Sequence, residues 1–441
     1  MFVEARRSPS PYIRGDARSQ HGRRLSAIER ARVPVGGAWV GRSQGGFCVL
    51  NEEACVGDVG SSDPGSPWWE RLPEDFSRQA DGTELDALHP LKVHGTAAVE
   101  RVMRTSLSAT VAAATLASLS GSGRMQQELE ALRFYEPLAR AGDAARVFLP
   151  PPGDIAIAAR ELPGQDIRRV QLRFASPFQP LNPAARPQFE AMRRNAFAHA
   201  QHWCHGDRPR PTLILMHGFA PDPYWLNAKA LSLASFYRRG YDILLFTYPF
   251  HGRRAERGDW FSGHGLFGRG LVSFNEAPLH AIHDLRVFID YLRKRGVGQI
   301  GVAGISLGGY TAALLAAVDE RLDYCIPIVP AVSPIDGFLD WQPTGLLLSR
   351  LMRSQGIGVA ELRGLFAVHN PLTYKPCLDG RRMLIIGGAG DRVTTPRHLR
   401  LLQRHWPGSE LHWFPGNHIL HLGRSEYLQR MGELMDRHSD L

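Results

Sequence analysis

Lysine is almost missing from this chain. Only Lys92, Lys229, Lys294 and Lys375 stand among 52 basic residues. An arginine excess of that size fits a GC-rich coding sequence. No helix-turn-helix, zinc or RNA-binding pattern accompanies it, so a nucleic-acid partner is not expected. Cysteine is scarce as well: Cys48, Cys55, Cys204, Cys325 and Cys377 are odd in number, widely spaced and form no CxxC. A disulfide framework or a structural zinc site is therefore not expected, and a reducing compartment such as the cytoplasm is favoured. No run reaches the ~20 strongly apolar residues of a membrane span. The longest uncharged stretch nearby, 105–123, is mostly Ala, Ser, Thr and Gly. Met103-Arg104 ahead of it would give a weak signal-like start if translation began there; a packed Ala-rich helix is the plainer reading. HExxH is missing, and no GxGxxG opens a helix after a first strand, so neither a metal nor a dinucleotide cofactor is expected.

What is present divides by composition. The 441 residues are 44% hydrophobic, enough for a sizeable core and too apolar for a wholly disordered chain. Residues 1–50 hold nine arginines against three acids, whereas 51–100 hold three basic and eleven acidic residues. Residues 1–90 show no sustained apolar period and are expected to be a largely disordered extension. Residues 91–205 read as a helical N-terminal region with leading strands. Strands are expected at Val147–Leu149, Ile155–Ala159 and Val170–Phe174, and an Arg-rich helix over 186–203.

From Pro211 the pattern becomes regular. Short apolar runs at Thr212–Met216, Asp242–Tyr248, Ile300–Gly304, Tyr324–Val329, Met383–Gly387 and Leu411–Phe414 read as strands. Helices are expected at Leu226–Arg238, Tyr310–Val318 and Glu426–Met435. Another is marked by Leu279, Ile282, Leu285, Phe288, Ile289 and Leu292, a single buried face. Alternating strands and helices imply an α/β fold with a mostly parallel, doubly wound sheet in residues 206–441.

Gly-x-Ser-x-Gly occurs twice, around Ser43 and around Ser306. Only Ser306 lies between an apolar strand and a good helix former, the strand–turn–helix setting that exposes a nucleophile and aims helix N-terminal N–H groups at a developing oxyanion. A serine hydroxyl also needs an imidazole to accept its proton.

Here the chain resembles the α/β-hydrolase superfamily over ~205–437. The resemblance rests on Gly304-Ile305-Ser306-Leu307-Gly308, on Leu213-Ile214-Leu215-Met216-His217-Gly218-Phe219, on Leu384-Ile385-Ile386-Gly387-Gly388-Ala389-Gly390-Asp391, and on Trp413-Phe414-Pro415-Gly416-Asn417-His418. It implies Ser306 as nucleophile, His418 as base and Asp391 as the acid that orients His418. It also implies an oxyanion hole from the backbone N–H groups of Phe219 and Leu307. His421 is the rival base, and His412 lies within a strand. His251 or Arg253 would contact substrate or simply form a turn. Asp284 and Asp290 are expected on a solvated helix face. Segment 337–371 is expected to be a short lid, whose Leu346-Leu347-Leu348 and Leu351-Met352 would bind an acyl chain or pack on the core.

The expected activity is hydrolysis of a small-molecule carboxylic ester, or an amide or thioester, through an acyl-enzyme on Ser306. Alternatives are an acyltransferase with the same residues and a non-catalytic ligand-binding member of the fold. Peripheral membrane contact through Arg-rich 186–210 and the lid is a further alternative.

Overall fold

The computed structural model describes residues 65–79, 90–164, 166–220 and 224–438. Ser43 lies outside them, as do residues 1–64. Nine strands form one sheet: β1 (Ala158–Leu162), β2 (Arg169–Ala175), β3 (Phe197–Trp203), β4 (Thr212–Met216), β5 (Asp242–Phe246), β6 (Ile300–Ile305), β7 (Tyr324–Ile328), β8 (Leu384–Gly388) and β9 (Glu410–Phe414), in the order β1-β2-β3-β5-β4-β6-β7-β8-β9. Strands β5 through β9 are parallel. The three leading strands join antiparallel, β3 against β5. The chain steps from β4 outward to β5 and then back across to β6. That reversal leaves a crevice beyond the carboxyl ends of β4 and β6, where this class of sheet binds ligands.

Burial follows the apolar pattern. Every residue of β4, β5, β7 and β8 is buried. Six helices matter for the site and are labelled α1 (Pro90–Ser118), α2 (Leu271–Lys294), α3 (Leu307–Val318), α4 (Pro334–Asp340), α5 (Thr344–Gln355) and α6 (Arg424–Arg437). The expected stripe of α2, from Leu279 to Leu292, is fully buried. Helix α3 is buried on every side from Gly308 to Val318, as befits a helix at the centre of a large core. No helix among the described residues is long and apolar enough to cross a membrane.

Several expectations need correction. The Arg-rich segment is not one helix. It is helical only at Arg186–Ala191, and Phe197–Trp203 is β3, whose antiparallel pairing on both sides outweighs the local helical pattern. Val147–Leu149 is not a strand; a helical turn ends at Val147. Leu226–Arg238 is broken into Tyr224–Ala230 and Leu233–Arg238, with Ser232 between them at φ 51°. Within the stretch expected to lack structure, Trp68–Arg71 form a helical turn, and Trp68, Trp69 and Phe76 are buried. Arg363 holds this segment through the carbonyls of Leu72 and Pro73, while pairing at 2.6 Å with Asp336.

Asp284 is the largest correction. It is fully buried rather than solvated, 2.8 Å from the equally buried Arg254 guanidinium. Ser176 donates to it at 2.5 Å, and His280 lies 3.2 Å away. The stripe of α2 is wider than its aliphatic residues suggest. Asp290 is half-buried and pairs with Arg321.

The core also carries histidines. Burial, chiefly, holds His199 and His202 down at about 4, and His251, His280 and His369 at about 3. Unfolding lets each take a proton at its ordinary value near 6.5. Below that value the unfolded chain therefore binds more protons, and stability falls with falling pH. The cost is about 2 kcal/mol per histidine at pH 5. Burial raises the carboxyls of Glu100, Asp242 and Glu276, which act in the opposite sense. The histidines outnumber them, so Tm should drop by several degrees between pH 7 and pH 5. A Tm in scanning calorimetry that stays level or rises on acidification would contradict this.

Candidate active site

Ser306 sits on the turn between β6 and α3, at φ 56° and ψ −114°. Non-glycine residues rarely hold a positive φ, and such strain persists where the surrounding structure enforces it. The enforcement comes from close approach. A methyl group on Gly304 would collide with the Gly308 backbone, and one on Gly308 would collide with the carbonyl of Met216 at the end of β4. Only glycine at both positions lets the serine turn be this tight and lets α3 begin against β4.

His418 follows β9 and reaches back to the serine: its Nε2 lies 2.9 Å from Ser306 Oγ, and its Nδ1 lies 2.9 Å from Asp391 Oδ2. Asp391 is buried on the turn after β8. Its Oδ1 accepts from the backbone N–H groups of Val393 and Thr394, each at 2.8 Å, and its Oδ2 accepts from Thr394 Oγ1 at 2.9 Å. A carboxylate held by that many donors presents one oxygen to imidazole in a fixed direction. Burial alone would pull the His418 pKa down. The Asp391 charge and hydrogen bond, with the charge of Glu100, outweigh it and raise the pKa. Asn417 explains why this loop reads Gly-Asn-His: its Oδ1 accepts from Ile419 and Leu420 N–H and ties the turn that carries His418.

The alternatives separate cleanly. His421 is bonded to Tyr427 Oη and to the His418 carbonyl, away from Ser306, and its pKa is lowered by burial to about 4. His412 lies on β9 and does not line the cavity beside Ser306. His251 is wholly buried, with Nδ1 2.8 Å from the Pro249 carbonyl, and belongs to a turn. Arg253 lines a separate shallow pocket with Arg173, Arg193 and Arg194.

His217 and Gly218 close the site from β4. His217 Nε2 accepts from Tyr248 N–H, so its Nδ1–H donates to the Gly218 carbonyl at 2.7 Å and fixes the loop. Gly218 stands against Ile305 and Ser306. Phe219 and Leu307 both line the cavity beside the serine.

That cavity measures about 660 Å³. Its wall is mostly apolar and aromatic, with Leu226, Phe267, Phe274, Phe338 and Trp341 prominent. The lid segment contributes through α4 and Trp341. The leucines of α5 do not reach the cavity; α5 packs on α1, where Thr344 bonds Ser108.

Residues 91–205 were open to reading as a helical cap or a dimer surface, but none of them was named as a site residue. Leu107 and Val111 of α1 line the cavity, and Glu100 of the same helix bonds the loops of Asp391 and His418. The nearest signal in the sequence is a lone acid inside an Ala-rich helix, which reads equally well as a solvated residue.

A nine-stranded sheet that reverses at β4, with Ser306 on the turn after β6, defines a class of fold. The chain has the α/β-hydrolase fold. Its residues 149–341 match the family described as Alpha/beta hydrolase domain containing 18. It is 27% identical over 311 residues to the uncharacterized protein Rv2627c of Mycobacterium tuberculosis (strain ATCC 25618 / H37Rv), over 67% of this chain and 71% of that relative. The uncharacterized protein MT2702 of strain CDC 1551 / Oshkosh aligns to the same extent. Among solved structures, it is similar to acetyl xylan esterase 1 from Thermoanaerobacterium sp. JW/SL YS485, with 17% identity, a TM-score of 0.49, and 70% of this chain and 94% of that one covered. The acetyl xylan esterase from Paenibacillus sp. R4 has 14% identity and a TM-score of 0.46, with coverage of 69% and 94%.

Proposed function

We propose that this chain is a serine hydrolase of carboxylic esters with an apolar acyl group. The observation that carries the reading is the unbroken relay Ser306–His418–Asp391, with both links at 2.9 Å, opening on an apolar cavity. Ser306 Oγ attacks the ester carbonyl while His418 Nε2 takes its proton. Asp391 holds the ring in the tautomer with Nδ1 protonated and stabilises the imidazolium. The N–H groups of Phe219 and Leu307 face the carbonyl oxygen as it becomes an oxyanion, and the α3 N-terminus adds its dipole. His418 returns the proton to the departing alcohol. Water, deprotonated by the same ring, then releases the acid from Ser306.

A fluorophosphonate probe, with the modified residue mapped by mass spectrometry, tests this directly. Label on Ser306 supports the reading. Label elsewhere, or none on folded protein, overturns it.

The cavity adds a second expectation. Each methylene moved from water into an apolar wall contributes about 0.8 kcal/mol, roughly fourfold in kcat/KM. For p-nitrophenyl esters, kcat/KM should rise from acetate to hexanoate by about that factor per methylene. A profile that peaks at acetate would remove the apolar acyl group from the proposal.

A further inference from the structure

Helix α1 precedes the sheet, yet one of its faces belongs to the site. Glu100, Arg104, Leu107, Ser108 and Val111 recur at the three- and four-residue spacing of a single helix stripe. The Glu100 carboxylate is 1% exposed. Its Oε2 accepts from Arg392 N–H and its Oε1 from His418 N–H, both at 2.6 Å. One turn on, Arg104 Nη1 donates to the Arg392 carbonyl at 2.8 Å and pairs with Asp340 of α4 at 2.9 Å. Arg392, next to Asp391, is thus held at both its backbone N–H and its backbone C=O by one helix. The same carboxylate that holds it also holds the peptide of His418.

We propose that Glu100 is a positioning residue for catalysis: its two carboxylate oxygens tie the acid loop to the base loop, which makes helix α1 an integral part of the active site. This rests on the hydrolase reading above, and it names a residue that reading does not require. Backbone bonds join the loops near their strands, Ala389 N–H to the Phe414 carbonyl at 3.0 Å and Gly390 N–H to the Gly416 carbonyl at 2.7 Å; beyond these, at Arg392 and His418, Glu100 ties the two loops again. They leave separate strands, and Asp391 and His418 must meet within 2.9 Å across them. A carboxylate is suited to the task because it accepts at both oxygens. A glutamine presents one acceptor and one donor, and so faces one of the two N–H groups with another N–H.

Charge gives the inference a second consequence. The groups facing Glu100 are Asp391 and His418 on the opposing loops, with Arg104 and Asp340 beyond. Its negative charge helps to raise His418. Burial, then Asp391, pushes Glu100 itself up to about 7. In the wild type, the acid limb of kcat/KM should therefore fall with more than one proton. Without Glu100 it should fall with one, at lower pH.

The test compares wild type, Glu100→Gln, Glu100→Asp and the solvent-facing control Arg101→Gln. Readouts are p-nitrophenyl butyrate turnover across pH 5.5–9 and hydrogen–deuterium exchange of segments 389–394 and 416–420. Glu100→Gln should lower kcat about 10- to 100-fold, the scale of a misplacement of about 1 Å. KM should change little, the acid limb should move to lower pH, and both segments should exchange faster. Glu100→Asp keeps the charge but is one methylene short. It should lose kcat several-fold with the limb in place, and it carries the test if Glu100→Gln does not fold. Arg101→Gln should match wild type. Wild-type kcat in both Glu100 variants overturns the proposal. So does a lower kcat in Glu100→Gln with an unmoved limb and unchanged exchange, which would mark Glu100 as structural only. If wild type neither turns over ester nor takes the fluorophosphonate, the hydrolase reading fails. The exchange data then decide whether Glu100 ties the two loops.

Discussion

Ser306→Ala should lower kcat for p-nitrophenyl butyrate by about 10⁴- to 10⁶-fold and abolish fluorophosphonate labelling, with the melting curve unmoved or slightly raised. The size follows from the behaviour of catalytic triads, in which loss of the nucleophile removes nearly all of the covalent pathway. Alanine relaxes no hydrogen bond that the fold needs, since Ser306 Oγ bonds only His418 among the described residues. His418→Ala should cost a similar amount, and combining the two should add little, because they act as a unit. Asp391→Asn is more informative. The amide keeps the shape and the Oδ1 bonds to Val393 and Thr394, but it turns an N–H toward His418 Nδ1. The ring is then held in the wrong tautomer, and kcat should fall about 10⁴-fold. Steady-state kinetics on protein of verified purity decides both. Ser306→Ala retaining a tenth of wild-type activity would end the assignment.

The second large effect falls on stability. Asp284→Ala strands the Arg254 guanidinium in the core, where its remaining partners are the Thr247 and Asn195 carbonyls and His280. Breaking a buried ion pair from one side typically costs 3–5 kcal/mol. For a unit of this size, Tm should fall by about 4–6 °C. The double variant Arg254→Met, Asp284→Leu should recover much of that loss, since apolar replacements of similar volume leave no uncompensated charge. Calorimetry on the three proteins would show it. An unchanged Tm in Asp284→Ala would mean that the pair contributes nothing measurable. Neither residue lines the cavity, so folded variants should keep their ester turnover.

Local signals were enough where one short segment carries its own geometry. The glycines flanking Ser306 announce a tight strand-to-helix turn because no side chain fits there. The stripe of α2 announces a buried face because apolar residues at that spacing have one place to go. Asp391 and His418 were legible through the resemblance to the α/β hydrolases, which implies an acid and a histidine after successive strands, in the order serine, acid, histidine.

What failed depended on partners distant in the chain. Phe197–Trp203 becomes a strand because β2 and β5 pair with it on either side, and nothing within the segment encodes those neighbours. Asp284 looks solvated until Arg254, thirty residues earlier, is placed against it. Glu100 looks solvated until Arg392 and His418 arrive, 292 and 318 residues later. The sequence by itself determined the class of fold, the strand alternation and the serine turn, since those follow from periodicity and local sterics. Only the tertiary structure decided which charges are buried, which helix completes the site and what lines the cavity. Burial and pairing are properties of residues brought together by folding, and no local pattern records them.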